Sequence, residues 1–240
     1  MNEKQITILQ LYPHDMNIYG DWGNVLVLKR RLQWHGYSPH VIEYNVGDIF
    51  PDEADIIIGG GGQDAGQDNI QADLLSIGTH LHTQAENDVP MLMICGLYQL
   101  FGKFFKTQDG HVIKGIGMLD LETHAGSERL IGNITTSSSQ FGDIIGYENH
   151  SGQTFLGSGV SPLGRVVKGA GNNGQDDTEG ARYRNVIGTY MHGSLLPKNP
   201  TVADFLIEKA VTKKYGDFIP TVIDDRFAEA AREVALKRPR

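Results

Sequence analysis

Short apolar runs recur through the first hundred residues: QITILQL (5–11), SPHVIEY (38–44), ADIIIGG (54–60) and PMLMIC (90–95). Helical spacing fills the gaps between them. One stretch, capped by Asp21 and running to about Gly36, carries Val25, Leu28 and Leu32; another runs from Gln67 to about Ala85. Gly96–Phe105 predicts a further helix. Strand-length runs alternating with helices predict βαβ units and a parallel sheet. Their near-continuous apolar character predicts strands buried on both faces.

The texture changes after about residue 110. Residues 111–189 are rich in Gly, Ser, Thr and Asn, with short strand-like pieces such as LIGNITT, DIIGYENH and GRVVKG. They predict hairpins and an antiparallel extension of the sheet. GAGNNGQDDTEG (169–180) reads as a long polar loop, too glycine-rich to pack. RNVIGTYMH (184–192) returns to a buried-strand pattern, and helices are predicted at about 200–213 and 224–237. With no repeat and no low-complexity linker, residues 1–240 are expected to form one α/β domain.

Twenty-one basic against 29 acidic residues give a net charge of −8. That argues against nucleic acid or an anionic membrane surface as the main partner, since both require basic surface. No apolar run approaches the ~18–20 residues of a membrane span, and MNEKQITILQ lacks the pattern of a signal peptide. A single cysteine cannot form an internal disulfide, which fits a reducing cytoplasm.

That cysteine ends an apolar run and precedes a glycine, in MLMICGLYQLFG (91–102). Strand, Cys95, Gly96, then helix is the pattern of a nucleophile elbow, where the glycine relieves crowding. A helix N-terminus beside the sulfur would favour thiolate. The competing reading is a buried small hydrophobe, the usual fate of a free cysteine. A reactive thiol needs a base. His192, in VIGTYMHGSLLP, also follows an apolar strand and precedes a glycine, so it shares the carboxyl edge where open α/β sheets build sites. IIIGGGGQDAGQDN (56–69) ends a strand in four glycines whose backbone N–H groups suit an oxyanion. Gly60, Gly62 and Ala65 satisfy a loose G-x-G-x-x-A, but on the third strand and without the acidic residue of a dinucleotide site. No G-x-x-x-x-G-K-[ST] is present.

Together with IYGDWGNVLVLKRR (18–31), ICGLYQLFG (94–102), GYENHSGQT (146–154) and GTYMHGSLLPKNP (188–200), these stretches resemble the class I glutamine amidotransferases of the cobyric acid synthase-like type. Within that type they are most similar to the GatD branch, the glutaminase subunits of lipid II isoglutaminyl synthase. The resemblance implies a mainly parallel central sheet flanked by helices. It makes Cys95 the nucleophile on the carboxamide of L-glutamine and His192 its general base and acid, passing through a γ-glutamyl thioester. Gly60 and Gly61, with the N–H of Gly96, would hold the oxyanion. Gln99 would contact glutamine, and Arg129, in GSERLIGN, would bind its α-carboxylate; without the resemblance Arg129 reads equally as a surface arginine. His150, in YENHSG, would line the site without a catalytic role. No metal site is implied.

The resemblance also implies a heterodimer with a MurT-like, Mur ligase-type subunit. That partner would carry ATP and Mg, since this chain has no cofactor of its own. Ammonia would pass to the α-carboxylate of D-glutamate in the lipid II stem peptide, and lipid II would be reached through the complex. One departure stands out. His192 is followed by Gly193 and Ser194, where typical class I enzymes place an acid two residues after the histidine. Either a dyad suffices or an acid comes from elsewhere, the partner included. Alternative readings are ammonia supply for cobyrinic acid amidation, a Cys–His γ-glutamyl hydrolase or peptidase, and a non-enzymatic binding subunit.

Overall fold

The computed structural model describes residues 4–239; Met1–Glu3 and Arg240 lie outside the described residues. Strands β1 (Gln5–Leu11), β2 (Ser38–Tyr44), β3 (Ile56–Gly59), β4 (Met91–Ile94) and β12 (Val186–Thr189) are mutually parallel. The antiparallel edge strand β11 (Ala181–Tyr183) completes a sheet of order β11-β12-β4-β3-β1-β2. Every residue of β3, β4 and β12 is buried. Burying one such Ile, Leu or Met side chain contributes about 1.5–3 kcal/mol. The connecting helices are α1 (Trp22–Trp34), α2 (Asp64–Glu86) and α3 (Gly96–Phe101); α4 (Pro200–Tyr215) and α5 (Arg226–Lys237) follow the sheet.

The antiparallel part forms a second sheet instead of simply extending the first. Its strands are β5 (Phe104–Lys106), β6 (Val112–Lys114), β7 (Leu121–Ser138), β8 (Gly142–Leu156), β9 (Gly164–Lys168) and β10 (Thr178–Glu179). The β7–β8 hairpin dominates it, with a register shift between Ala125 and Leu130. The two sheets meet where the His192 N–H donates to the Tyr147 carbonyl of β8 at 2.8 Å.

Three expectations change. The helix after Cys95 stops at Phe101, because Phe104–Lys106 pairs with β6 and β7, and that pairing overrides local helical spacing. Helix α2 begins at Asp64 instead of Gln67, with an acid in its first turn. Residues 169–180 do pack: Asn172 and Glu179 are fully buried and Asn173 is 2% exposed. Hydrogen bonds replace apolar contact there. The Asn172 amide donates to the Gly180 carbonyl at 3.0 Å and accepts from the Tyr98 hydroxyl at 2.9 Å. No helix among the described residues is long and apolar enough to cross a membrane.

Candidate active site

Cys95 follows β4 with φ 48° and ψ −98°, a region few non-glycine residues occupy. Strain of this kind costs about 1–3 kcal/mol and persists only where surroundings over-determine it. Here the Cys95 N–H donates to the Thr189 carbonyl at 2.8 Å, and the Cys95 carbonyl accepts from Gln99 N–H at 2.9 Å. The elbow is therefore clamped between β12 and α3, with Cys95 only 7% exposed.

His192 lies just beyond β12, 1% exposed, with the Tyr19 ring edge-on at 4.5 Å. An acid stands beside it that sequence reading had assigned to a helix cap. Asp21 holds the N-cap position of α1 but makes no side-chain capping bond. Its Oδ2 accepts the Gly61 N–H at 2.8 Å and sits 3.6 Å from His192 Nδ1. Ser194, where an acid was to be expected, donates its hydroxyl to the Gly20 carbonyl at 2.8 Å and so pins the segment that carries Asp21. Gly61 is the point where the three side chains converge: a Cβ there would lie 2.7 Å from His192 Cε1, 3.1 Å from Cys95 Cβ and 3.4 Å from Asp21 Oδ2. Only glycine leaves that space open.

Neither His192 nitrogen completes a hydrogen bond in this resting arrangement, as is common before substrate tightens a site. Burial lowers the His192 pKa, but the Cys95 sulfur and the Asp21 carboxylate outweigh it and push it up to about 10.

Beside Cys95 a cavity of about 350 Å³ opens between the carboxyl edge of the parallel sheet and β8. Gln67, Gln99, Arg129, His150 and Tyr19 line it, so both Gln99 and Arg129 face the same space as Cys95. Arg129 sits in the register shift of β7 and donates through Nε to Asn149 Oδ1 at 2.7 Å. His150 stacks on Tyr190 with ring centroids 3.5 Å apart and hydrogen-bonds the Gly152 carbonyl through Nδ1. Burial, first of all, drives its pKa down to about 3, so it is neutral. The glycines are placed less simply than expected. Gly61 N–H is engaged by Asp21, and the Gly60 carbonyl accepts Leu97 N–H. Gly62 lines the cavity with Cys95, and its nitrogen lies 3.0 Å from where a Cβ on Gly96 would sit, so these two glycines are close neighbours beside the elbow. No group of three His, Cys, Asp or Glu among the described residues is placed to hold a metal ion. Sequence reading placed Gly62 in the glycine run but missed Asp21, Gln67 and Tyr19 as site residues; the one available signal was that Tyr19 and Asp21 follow the carboxyl end of β1.

The CobB/CobQ-like glutamine amidotransferase domain matches residues 7–200. The chain belongs to that family. Among relatives of this amidotransferase, the Staphylococcus aureus protein named lipid II isoglutaminyl synthase (glutamine-hydrolyzing) subunit GatD is 40% identical over 235 residues, covering 98% of this chain and 96% of that one. A Streptococcus pneumoniae protein of the same name is 38% identical, covering 95% and 90%. A Methanothermobacter thermautotrophicus protein named probable cobyric acid synthase is 38% identical over 121 residues, but these span 44% of this chain and 24% of that one. Among solved structures, PurLQS from Thermotoga maritima aligns with a TM-score of 0.60 at 16% identity, covering 85% of this chain and 98% of that one. A glutamine amidotransferase from the same organism gives 0.55 at 15% identity, covering 96% and 93%. At those identities the likeness shows a shared fold. The chain is thus a glutamine amidotransferase with the fold expected from its sequence.

Proposed function

We propose that this chain is the glutaminase subunit of a lipid II isoglutaminyl synthase, converting L-glutamine to glutamate and ammonia at Cys95. The observation that carries the reading is the convergence of Cys95, His192 and Asp21 on Gly61, with Cys95 also lining a cavity that Arg129 and Gln99 line.

In this mechanism the Cys95 sulfur attacks the carboxamide carbon, and the N–H groups of Gly62 and Gly96 receive the developing oxyanion. His192, protonated at rest, gives its proton to the leaving nitrogen, and ammonia departs from a γ-glutamyl thioester. Neutral His192 then takes a proton from water, which attacks the thioester; glutamate leaves and the sulfur regains its charge beside the imidazolium. Asp21 orients the ring and stabilises its positive form, the part an acid plays in catalytic triads. Arg129 suits a grip on the substrate's α-carboxylate, since a guanidinium matches that geometry.

The chain lacks a P-loop, so we assign activation of the acceptor to an ATP-using, Mur ligase-type partner, which amidates the α-carboxylate of D-glutamate in the lipid II stem peptide. Full-length similarity to two proteins named as GatD subunits supports this acceptor over cobyrinic acid, whose named relatives align over a much smaller share of both chains. The one-thiol composition supports a cytoplasmic setting. The test is glutamate release from glutamine by the chain alone and with a co-expressed Mur ligase-type partner, beside Cys95→Ala. Release that needs Cys95 and rises with the partner is expected. Release that persists in Cys95→Ala, or no release in either condition, would overturn the reading.

A further inference from the structure

The strand that leads to His192 runs out before the histidine is reached. β12 ends at Thr189, and the residues beyond it, Tyr190 and Met191, are fully buried. Their N–H groups have left the parallel ladder and cannot reach water, so each needs an acceptor inside the protein. Tyr190 N–H donates to Glu179 Oε1 at 2.9 Å, and the Thr189 hydroxyl donates to the same oxygen at 2.5 Å. That hydroxyl in turn accepts Met191 N–H at 3.1 Å, and His192 N–H donates to the Tyr147 carbonyl at 2.8 Å. One carboxyl oxygen therefore anchors the whole turn from Thr189 to His192.

The same anchor reaches the elbow. Tyr190 N–H and the Thr189 carbonyl belong to one peptide unit, which is planar and trans, so fixing its N–H aims its carbonyl the opposite way. That carbonyl accepts Cys95 N–H at 2.8 Å. Glu179 is itself held in the second sheet, where β10 pairs it with Gly164 of β9, and it is fully buried and off the cavity lining. A buried carboxyl is costly unless its hydrogen bonds are used, and here both go to the segment between the two reacting side chains. Resting on the glutaminase reading above, we propose that Glu179 is a positioning residue: from the second sheet it sets the Thr189–Tyr190 peptide, and through that peptide the spacing of Cys95 and His192. It acts on the pair and not on the substrate.

The test measures glutamate release per folded molecule in the chain with its partner, for the wild type, Glu179→Gln, Glu179→Met and Thr189→Val. Small misplacements of reacting groups cost up to about 10²-fold. Glu179→Met, which keeps the length but offers no comparable acceptor, should lower kcat by about 10–10²-fold, with KM for glutamine hardly changed. The Gln side-chain oxygen can accept both bonds, so Glu179→Gln should recover most of that loss. Thr189→Val removes only the hydroxyl and should lower kcat less, in the same direction; it carries the test if Glu179→Met does not fold. The pH profile separates positioning from stability alone. Against its burial, His192 is raised by Cys95 and Asp21, so a displaced ring should bring the alkaline limb of kcat/KM below about 10. Variants that melt earlier yet keep the wild-type kcat and alkaline limb would overturn this proposal alone, as would a Glu179→Gln variant as slow as Glu179→Met. A wild type that releases no glutamate would instead overturn the glutaminase reading, and this proposal with it.

Discussion

The carboxyl edge of the parallel sheet and the 169–180 loop are both buried and both polar, yet their side chains are treated differently. In the loop, the amides of Asn172 and Asn173 are hydrogen-bonded through both oxygen and nitrogen. At the edge, Asp21 Oδ1, both His192 nitrogens, Gln67 Oε1 and His150 Nε2 have no partner. Saturated amides hold the shape of the loop, whereas the edge keeps unpaired polar atoms around Cys95. Glu179 is the loop's exception, with one open carboxyl oxygen: burial pushes that group up to about 7, so it holds a proton through mildly acidic pH.

Asp21→Asn tests this contrast hardest. The asparagine oxygen still accepts the Gly61 N–H, so thermal stability should hardly change, while kcat falls by about 10²–10⁴-fold. Asp21 is among the groups that raise His192, so its loss should also move the alkaline limb of kcat/KM below the pH of about 10 at which the wild-type imidazolium is lost. A variant that loses stability but keeps its rate would break the contrast. Asn172→Ala should do the reverse. Removing a saturated buried amide should cost about 3 kcal/mol, lowering Tm by about 6–12 °C, with the rate per folded molecule nearly intact. Glu179→Gln should act least. With the folded pKa raised from 4.5 to about 7, the native state keeps a proton that the unfolded chain releases, so wild-type stability falls as pH rises across that window. The glutamine variant should flatten that slope in thermal melts from about pH 4 to about pH 8, a span of about four units that brackets the window; an unchanged slope would place the wild-type carboxyl in its charged form.

The parallel half was legible because β3, β4 and β12 are buried throughout and β1 is buried over most of its length, and most of their residues are apolar. Cys95 and His192 could be found because each ends one of those runs beside a glycine. The β7–β8 hairpin was only glimpsed in fragments, since many of its buried positions are polar, among them Thr123, Thr136, Glu148, His150 and Thr154, and give no apolar period over Leu121–Ser138 and Gly142–Leu156. Asp21 stayed hidden for a different reason. Its sequence position matches a helix cap, and only the fold brings it to His192, while the expected position is taken by Ser194, which braces the Asp21 segment. Gln67 reads locally as an ordinary helix residue, and only the fold brings it against Gln99 on the cavity wall.

The most direct test of the central claim is intact-mass and peptide mapping of the chain, with its partner, quenched during glutamine turnover. A γ-glutamyl adduct on Cys95 that accumulates and then decays, with none in Cys95→Ala, is the expected result. Steady glutamate release with no acyl group ever found on Cys95, and with Cys95→Ala equally active, would contradict the account.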